Sequence, residues 1–191
     1  MPVTILGLSG SLRRGSLNSA LLRAASELVP AGAVLEIGTI RGIPVYDGDL
    51  EAAEGLPDAV VTLKQQIARS NGLLLVTPEY NNSIPGAFKN AIDWASRPAS
   101  DIAHVFKGRA VALTGASPGG FGTILAQDAW LPVLHTLGMN LWSEQRLMLS
   151  RAAGLFDSEG RLTDEPSRDR LAAFLQGFVS HVTQQAASAN R

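Results

Sequence analysis

The 191-residue sequence contains no cysteine. That absence removes disulfides, thiolate metal sites and cysteine nucleophiles together. Histidine is scarce too: His104, His135 and His181 stand far apart, a poor basis for a metal site, and are read as surface or packing residues. Neither sign of charge is in excess, with 16 Lys and Arg against 17 Asp and Glu. The basic surplus that a nucleic-acid surface demands is therefore missing. No apolar run approaches the roughly 18 residues of a membrane span. The N-terminal stretch from Met1 to Ile5 enters a strand-like segment with neither a charged leader nor a cleavage site. The expectation is a soluble cytoplasmic chain without metal, nucleic acid or membrane. Residues 1–191 are expected to form one domain, burying roughly 70% of the unfolded surface without covalent staples.

What is present is a repeated alternation. Val3–Leu8, Val34–Ile37, Leu73–Thr77 and Ala110–Thr114 are short runs rich in Val, Ile and Leu, as strands buried on both faces require. Between them lie segments of helical period. Leu17, Leu21, Ala24 and Leu28 share one face, Phe88, Ala91, Ile92 and Ala95 another, and Leu171, Phe174, Leu175 and Phe178 a third. Pro166 suits a first helical turn. Strands alternating with helices predict right-handed βαβ units and a parallel α/β sheet covered on both sides. A fifth strand is expected within Asn140–Leu149, and Pro132 predicts a kink or restart in the helical stretch Ile124–Leu137. Trp94, Trp130 and Trp142 read as core or interface, Asp157–Asp164 as a solvated turn, and Gln184–Arg191 as a fraying tail.

Ligands of open α/β sheets bind beyond the carboxyl ends of the strands, where strand order reverses. Three segments at such positions stand out. After the first strand comes Ser9-Gly10-Ser11-Leu12-Arg13-Arg14-Gly15-Ser16-Leu17-Asn18. Unpaired N–H groups at the following helix start favour an anion, with Ser11, Ser16, Asn18 and Arg13 as further donors; the plainer reading is that Ser16 or Asn18 caps the helix and the arginines are solvated. The glycine spacing is neither a P-loop nor a dinucleotide fingerprint. After the third strand, Thr77-Pro78-Glu79-Tyr80-Asn81-Asn82-Ser83-Ile84-Pro85-Gly86 makes a rigid loop with an aromatic between polar residues. It suits a flat ligand with polar edges, or else an ordinary turn. After the fourth, Thr114–Gly122 holds four glycines, a pliable backbone able to direct N–H groups at a ligand. In the strand order 2-1-3-4-5 all three segments meet. A phosphorylated, flat, heteroatom-edged molecule fits them jointly, and FMN is such a molecule.

At these residues the chain resembles the NADPH-dependent FMN reductase family, which includes flavodoxin-like chromate and quinone reductases. Gly10-Ser11-Leu12-Arg13-x-x-Ser16-x-Asn18 is similar to the family's phosphate motif. Thr77–Asn81, Ser83-x-Pro85-Gly86 and Lys89-Asn90-Ala91-Ile92-Asp93-Trp94 resemble its second signature, and Ile43–Leu50 the loop after its second strand. The resemblance implies a flavodoxin-like three-layer fold with a five-stranded sheet. It implies FMN held at Ser9, Ser11, Arg13, Ser16, Leu17 and Asn18 for the phosphate, with Pro78, Glu79, Tyr80 and Asn81 along the ribityl chain and ring. Ser117, Pro118, Gly119 and Gly120 would follow the pyrimidine edge. No catalytic side chain is needed, because hydride transfer occurs at the flavin itself. The implied activity passes electrons from NADPH or NADH to a small-molecule acceptor: a quinone, chromate, an azo compound or free flavin. A homodimer through the helix around Lys89–Ala95 is expected, with the tetramer left open by Asn82 and Leu125, where family members often carry an aromatic and an arginine. Two other functions are weighed. An electron carrier without its own NAD(P)H turnover fits less well, because such carriers are markedly acidic. A hydrolase or nucleotide module would need Ser11 or Ser16 as nucleophile without a nearby histidine, and Glu36 as a ribose acid without the glycine fingerprint.

Overall fold

The computed structural model describes residues 2–189. Its elements run β1 (Val3–Ser9), α1 (Leu17–Leu28), β2 (Ala33–Ile37), α2 (Gly48–Glu54), α3 (Asp58–Arg69), β3 (Gly72–Val76) and α4 (Gly86–Ala95). Then come α5 (Ile102–Val105), β4 (Ala110–Ala116), α6 (Ile124–Thr136), β5 (Asn140–Leu141), β6 (Leu147–Leu149) and α7 (Glu165–Ala189). The strands pair in parallel in the order β2-β1-β3-β4-β5, with β6 also on β4. Every residue of β3 and β4 is buried, as their unbroken apolar runs require, whereas the edge strand β2 exposes Val34 and Ile37.

Two cores flank the sheet. On one face α1 and α7 bury Leu21, Leu22, Leu171, Phe174 and Phe178 against β1, β3 and β4. On the other, α3, α4 and α6 bury Leu63, Ile67, Phe88, Ile92, Trp130 and Leu134. Removing one of these large side chains costs about 2–5 kcal/mol. All three tryptophans are buried, Trp130 and Trp142 within these cores.

The fifth strand is split. Asn140 and Leu141 pair with Ala110 and Val111, then the chain leaves the sheet and returns with Leu147–Leu149 opposite Thr114–Ala116. The Thr114 Oγ1 and Gln127 Nε2 groups both donate to the Leu147 carbonyl where the excursion ends. Helix α6 is continuous through Pro132, so the expected restart does not occur. Pro132 and Asp128, whose carbonyl the proline cannot serve, both lie on the exposed side, where that carbonyl is open to solvent. Nor does the tail fray from Gln184 onward. Helix α7 runs to Ala189, with Val182 buried and the Gln185 amide donating to the Gly108 carbonyl; Asn190 and Arg191 lie outside the described residues.

The segment after β2 is fastened to α4. The Pro44 carbonyl accepts from Asn90 Nδ2 at 2.8 Å and Trp94 Nε1 at 2.9 Å, and Asn90 Oδ1 accepts the Tyr46 N–H. Glu51 at the end of this segment accepts from the Tyr46 hydroxyl and Arg97 Nε. The Arg97 guanidinium beside Glu51 holds its carboxyl below the usual glutamate range, against a smaller opposing effect of desolvation. A carboxyl lowered in the folded state supports the fold fully above its free value of about 4.3 and loses that support as pH falls through the lower folded value. Acidification below about pH 4 is therefore expected to speed hydrogen exchange of the Tyr46 amide, and Glu51→Gln to remove that pH dependence.

Candidate functional site

Helix α1 begins where Ser16, buried and extended, turns its hydroxyl back to accept the Ser19 N–H at 3.2 Å. The Ser16 carbonyl accepts the Ala20 N–H. The N–H groups of Leu17 and Asn18 have no partner among the described residues, and both residues line a cavity of about 460 Å³. Ser16 thus caps the helix and still has its own hydroxyl hydrogen to donate. Ser11, Arg13 and Gly15 complete this wall. The Arg13 Nη2 lies 4.0 Å from where a Gly15 Cβ would stand, so the guanidinium folds back over the loop just ahead of the helix. Helix N–H groups, hydroxyls and a guanidinium in one concavity make the donor set of a phosphate site.

Asn18 plays a larger part than the sequence implied. Its Nδ2 donates to the Ala116 carbonyl at 2.8 Å and its Oδ1 accepts the Ala116 N–H at 2.9 Å. The side chain is 4% exposed and ties the start of α1 to the end of β4. One amide hydrogen remains for a ligand.

The second wall is Pro78, Glu79 and Tyr80. Tyr80 and Ser83 exchange both backbone hydrogen bonds around Asn81 and Asn82, whose φ angles of 50° and 61° are left-handed. Asparagine tolerates that region best after glycine, so an Asn-Asn pair makes a two-residue hairpin turn. Glu79 does not reach into the cavity as a free carboxylate. Its Oε2 accepts the N–H groups of Leu125 and Ala126 at 2.8 and 3.0 Å, capping α6 and compensating that helix's positive end.

Ser117 and Pro118 form the third wall. The expectation of a pliable loop holds only in part: its first half is fastened, while the N–H groups of Gly120, Phe121 and Gly122 have no partner among the described residues. The Ser117 N–H donates to Leu149 and the Gly119 N–H to Ser117 Oγ, while Arg151 and Ala152 donate to the carbonyls of Gly119 and Ser117. The loop is zipped to the segment after β6, which brings Ala153 into the cavity. Gly115 permits the close approach of β3 and β4 beneath it, because a Cβ there would overlap the Thr77 carbonyl and Thr123 Oγ1. Gly10 similarly lets the first loop press on Phe88 and Pro78.

Of the residues that the sequence pointed to, Ser11, Arg13, Ser16, Leu17, Asn18, Pro78, Glu79, Tyr80, Ser117 and Pro118 line this one cavity. Ser9 supports it from behind, its hydroxyl 3.1 Å from that of Ser19. Asn81, Gly119 and Gly120 are not in its lining. Gly15, Ala116 and Ala153 are, and sequence reasoning missed them: alanine carries no chemical signal, and Ala153 arrives through long-range backbone pairing. Glu36 forms a 2.6 Å ion pair with Arg69 on the edge strand, away from the cavity. Among the described residues no cluster of metal-ligating side chains occurs, and no helix is long and apolar enough to cross a membrane.

The chain is similar to known proteins along nearly its whole length. An NAD(P)H-dependent FMN reductase of Pseudomonas aeruginosa is 44% identical over 176 residues, covering 92% of this chain and 93% of that one. A 2-hydroxy-1,4-benzoquinone reductase of a Burkholderia species is 36% identical, covering 95% and 97%. Among solved structures, the flavoenzyme NAD(P)H:(acceptor) oxidoreductase of Paracoccus denitrificans superposes with a TM-score of 0.85 at 34% identity, covering 96% of this chain and 98% of that chain. Residues 3–154, from the first strand to the short turn that carries Ala153, match the profile of one family, and the chain belongs to it: the NADPH-dependent FMN reductases.

Proposed function

We propose that residues 1–191 act as one FMN-binding domain that oxidises NADPH or NADH and reduces a small acceptor, a quinone foremost. The observation that carries this reading is the convergence of α1's free N–H groups, Arg13 and Ser16 on the same cavity as Pro78–Tyr80 and Ser117–Pro118. The donor set fits the FMN phosphate: a dianion matched by one guanidinium, two hydroxyls and a helix N-terminus. The names of the similar proteins, FMN reductase and quinone reductase, favour turnover over mere electron carriage.

When bound, FMN supplies the hydride-accepting and hydride-donating chemistry. The chain's own residues bind, orient and set the local field. Arg13, Ser11, Ser16 and the Leu17 and Asn18 N–H groups would hold the phosphate. Pro78 and Tyr80, the latter 51% exposed, would flank the ring and leave one side open to substrates. Glu79, the sole carboxylate among the described lining residues, is held by α6, whose N–H groups offset its charge. A cytoplasmic homodimer fits this reading, its contact on α4 and the adjoining Val45, which is 84% exposed.

Anaerobic addition of NADPH to the FMN-loaded protein should bleach the flavin band, and a benzoquinone should restore it; a flavin that stays oxidised would sink the proposal. Arg13→Ala is expected to weaken FMN retention at least tenfold, the loss of one charge-assisted hydrogen bond, with no change in thermal midpoint of the flavin-free protein. Asn18→Ala leaves the Ala116 N–H and carbonyl unpaired and should destabilise the flavin-free fold by about 2–4 kcal/mol, measured by urea denaturation.

A further inference from the structure

The flavin cavity does not end at its phosphate donors. A cleft of about 260 Å³ adjoins it, and Gly15, Ser16, Leu17 and Ala153 line both. Only the first turn of α1 and the loop that enters it part the two. Gly15 keeps that divide low, since a Cβ there would meet nothing nearer than Arg13 Nη2 at 4.0 Å. The far wall of the cleft is the turn Phe156–Gly160, beyond residue 154, where the match to the family profile ends. Phe156 and Leu162 pair across this turn. Gly160, at φ 77°, seats it on α1, because a Cβ at that position would lie 2.7 Å from Arg23 Nη2.

Charge in the cleft is mixed but not cancelled. Asp157 and Glu159 lie on the turn, and Arg161 engages both, at 2.8 and 3.1 Å. Asp157 is fully occupied: its Oδ1 accepts the N–H groups of Glu159 and Arg161, and its Oδ2 accepts Arg161 Nε. Glu159 meets Arg161 through Oε2 alone, which leaves Oε1 without a partner among the described residues. Arg14 and Arg23 border the cleft from the side of α1 and form no ion pair among the described residues. Beside a bound flavin phosphate the cleft therefore offers two guanidinium groups for a second phosphate. It offers a free carboxylate oxygen for ribose hydroxyls and, in half-buried Phe156, an aromatic surface on which a base can stack. Joined to a flavin phosphate, those three parts are the adenylate half of FAD.

We infer that the protein takes FAD as well as FMN and holds FAD more tightly, its adenylate half lying in this cleft against Arg14, Arg23 and Phe156. The inference rests on the flavin-site reading above. Flavin-free protein titrated calorimetrically with each flavin should bind FAD roughly tenfold or more tighter than FMN, as one added charge-assisted hydrogen bond requires. Arg23→Ala should weaken FAD about tenfold and Glu159→Ala about threefold. Both should leave FMN affinity and the thermal midpoint of the flavin-free protein unchanged. Arg14 and Arg23 also border a cleft on the other side of the loop after β1, where Arg41 lies, so Arg41→Ala is the control for direction. It should leave the preference for FAD over FMN as it was. FMN bound as tightly as FAD, or Arg23→Ala weakening both alike, would overturn the inference and leave the FMN site standing. So would a preference for FAD that depends on Arg41 and not on Glu159, which puts the adenylate on the other side of the loop. Binding of neither flavin would retire the flavin reading and this extension together.

Discussion

The site depends on one pair of hydrogen bonds. The Asn18 amide closes on both backbone polar groups of Ala116, 98 residues away in sequence and buried from water. Buried amides left unpaired carry a desolvation penalty, so this exchange is strongly favoured over its absence. It locks the first turn of α1, where the phosphate donors sit, to the last residue of β4, where the third wall begins. Ser16 fixes the helix start, and Ser9 and Ser19 hold the loop from behind. A cavity whose walls are joined before any ligand arrives loses little freedom when one binds.

The second wall is joined to the third by a different device. Glu79 ends on α6, so the loop after β3 and the helix after β4 are held as one piece, with a full negative charge set against a helix's partial positive one. Beneath them Gly115 and Gly10 allow approaches that any side chain would block. Local charge is organised in the same economical way. The one carboxylate among the described residues lining the flavin cavity, Glu79, is occupied with the start of α6.

Much of this was legible in the sequence, and the exceptions share a cause. The central strands were readable because burial on both faces leaves only Val, Leu, Ile, Ala and the occasional Gly or Thr. The three ligand segments were readable because fold topology places them at one rim. Asn18 was found, but its bond to Ala116 was not, since no local pattern encodes a partner 98 positions distant. The glycines of the third loop suggested freedom, yet the segment after β6 pins its first half, Ser117 to Gly119. Pro132 suggested a kink or a restart, and the helix runs on through it with the proline on an exposed face. In each case a long-range contact or solvent decided what local propensity left open.

The divided last strand has its own consequence. Strand β4 serves as a template at two separate places, Ala110–Val111 and Thr114–Ala116, and the five residues from Trp142 to Arg146 belong to neither. Chain added to that excursion would alter the register of no ladder and touch no wall of the flavin cavity. Trp142 stays anchored, its N–H on the Val111 carbonyl and its ring in the core, so the exposed residues 143–146 are where extra chain could be accommodated while the ligand-binding rim stays as it is.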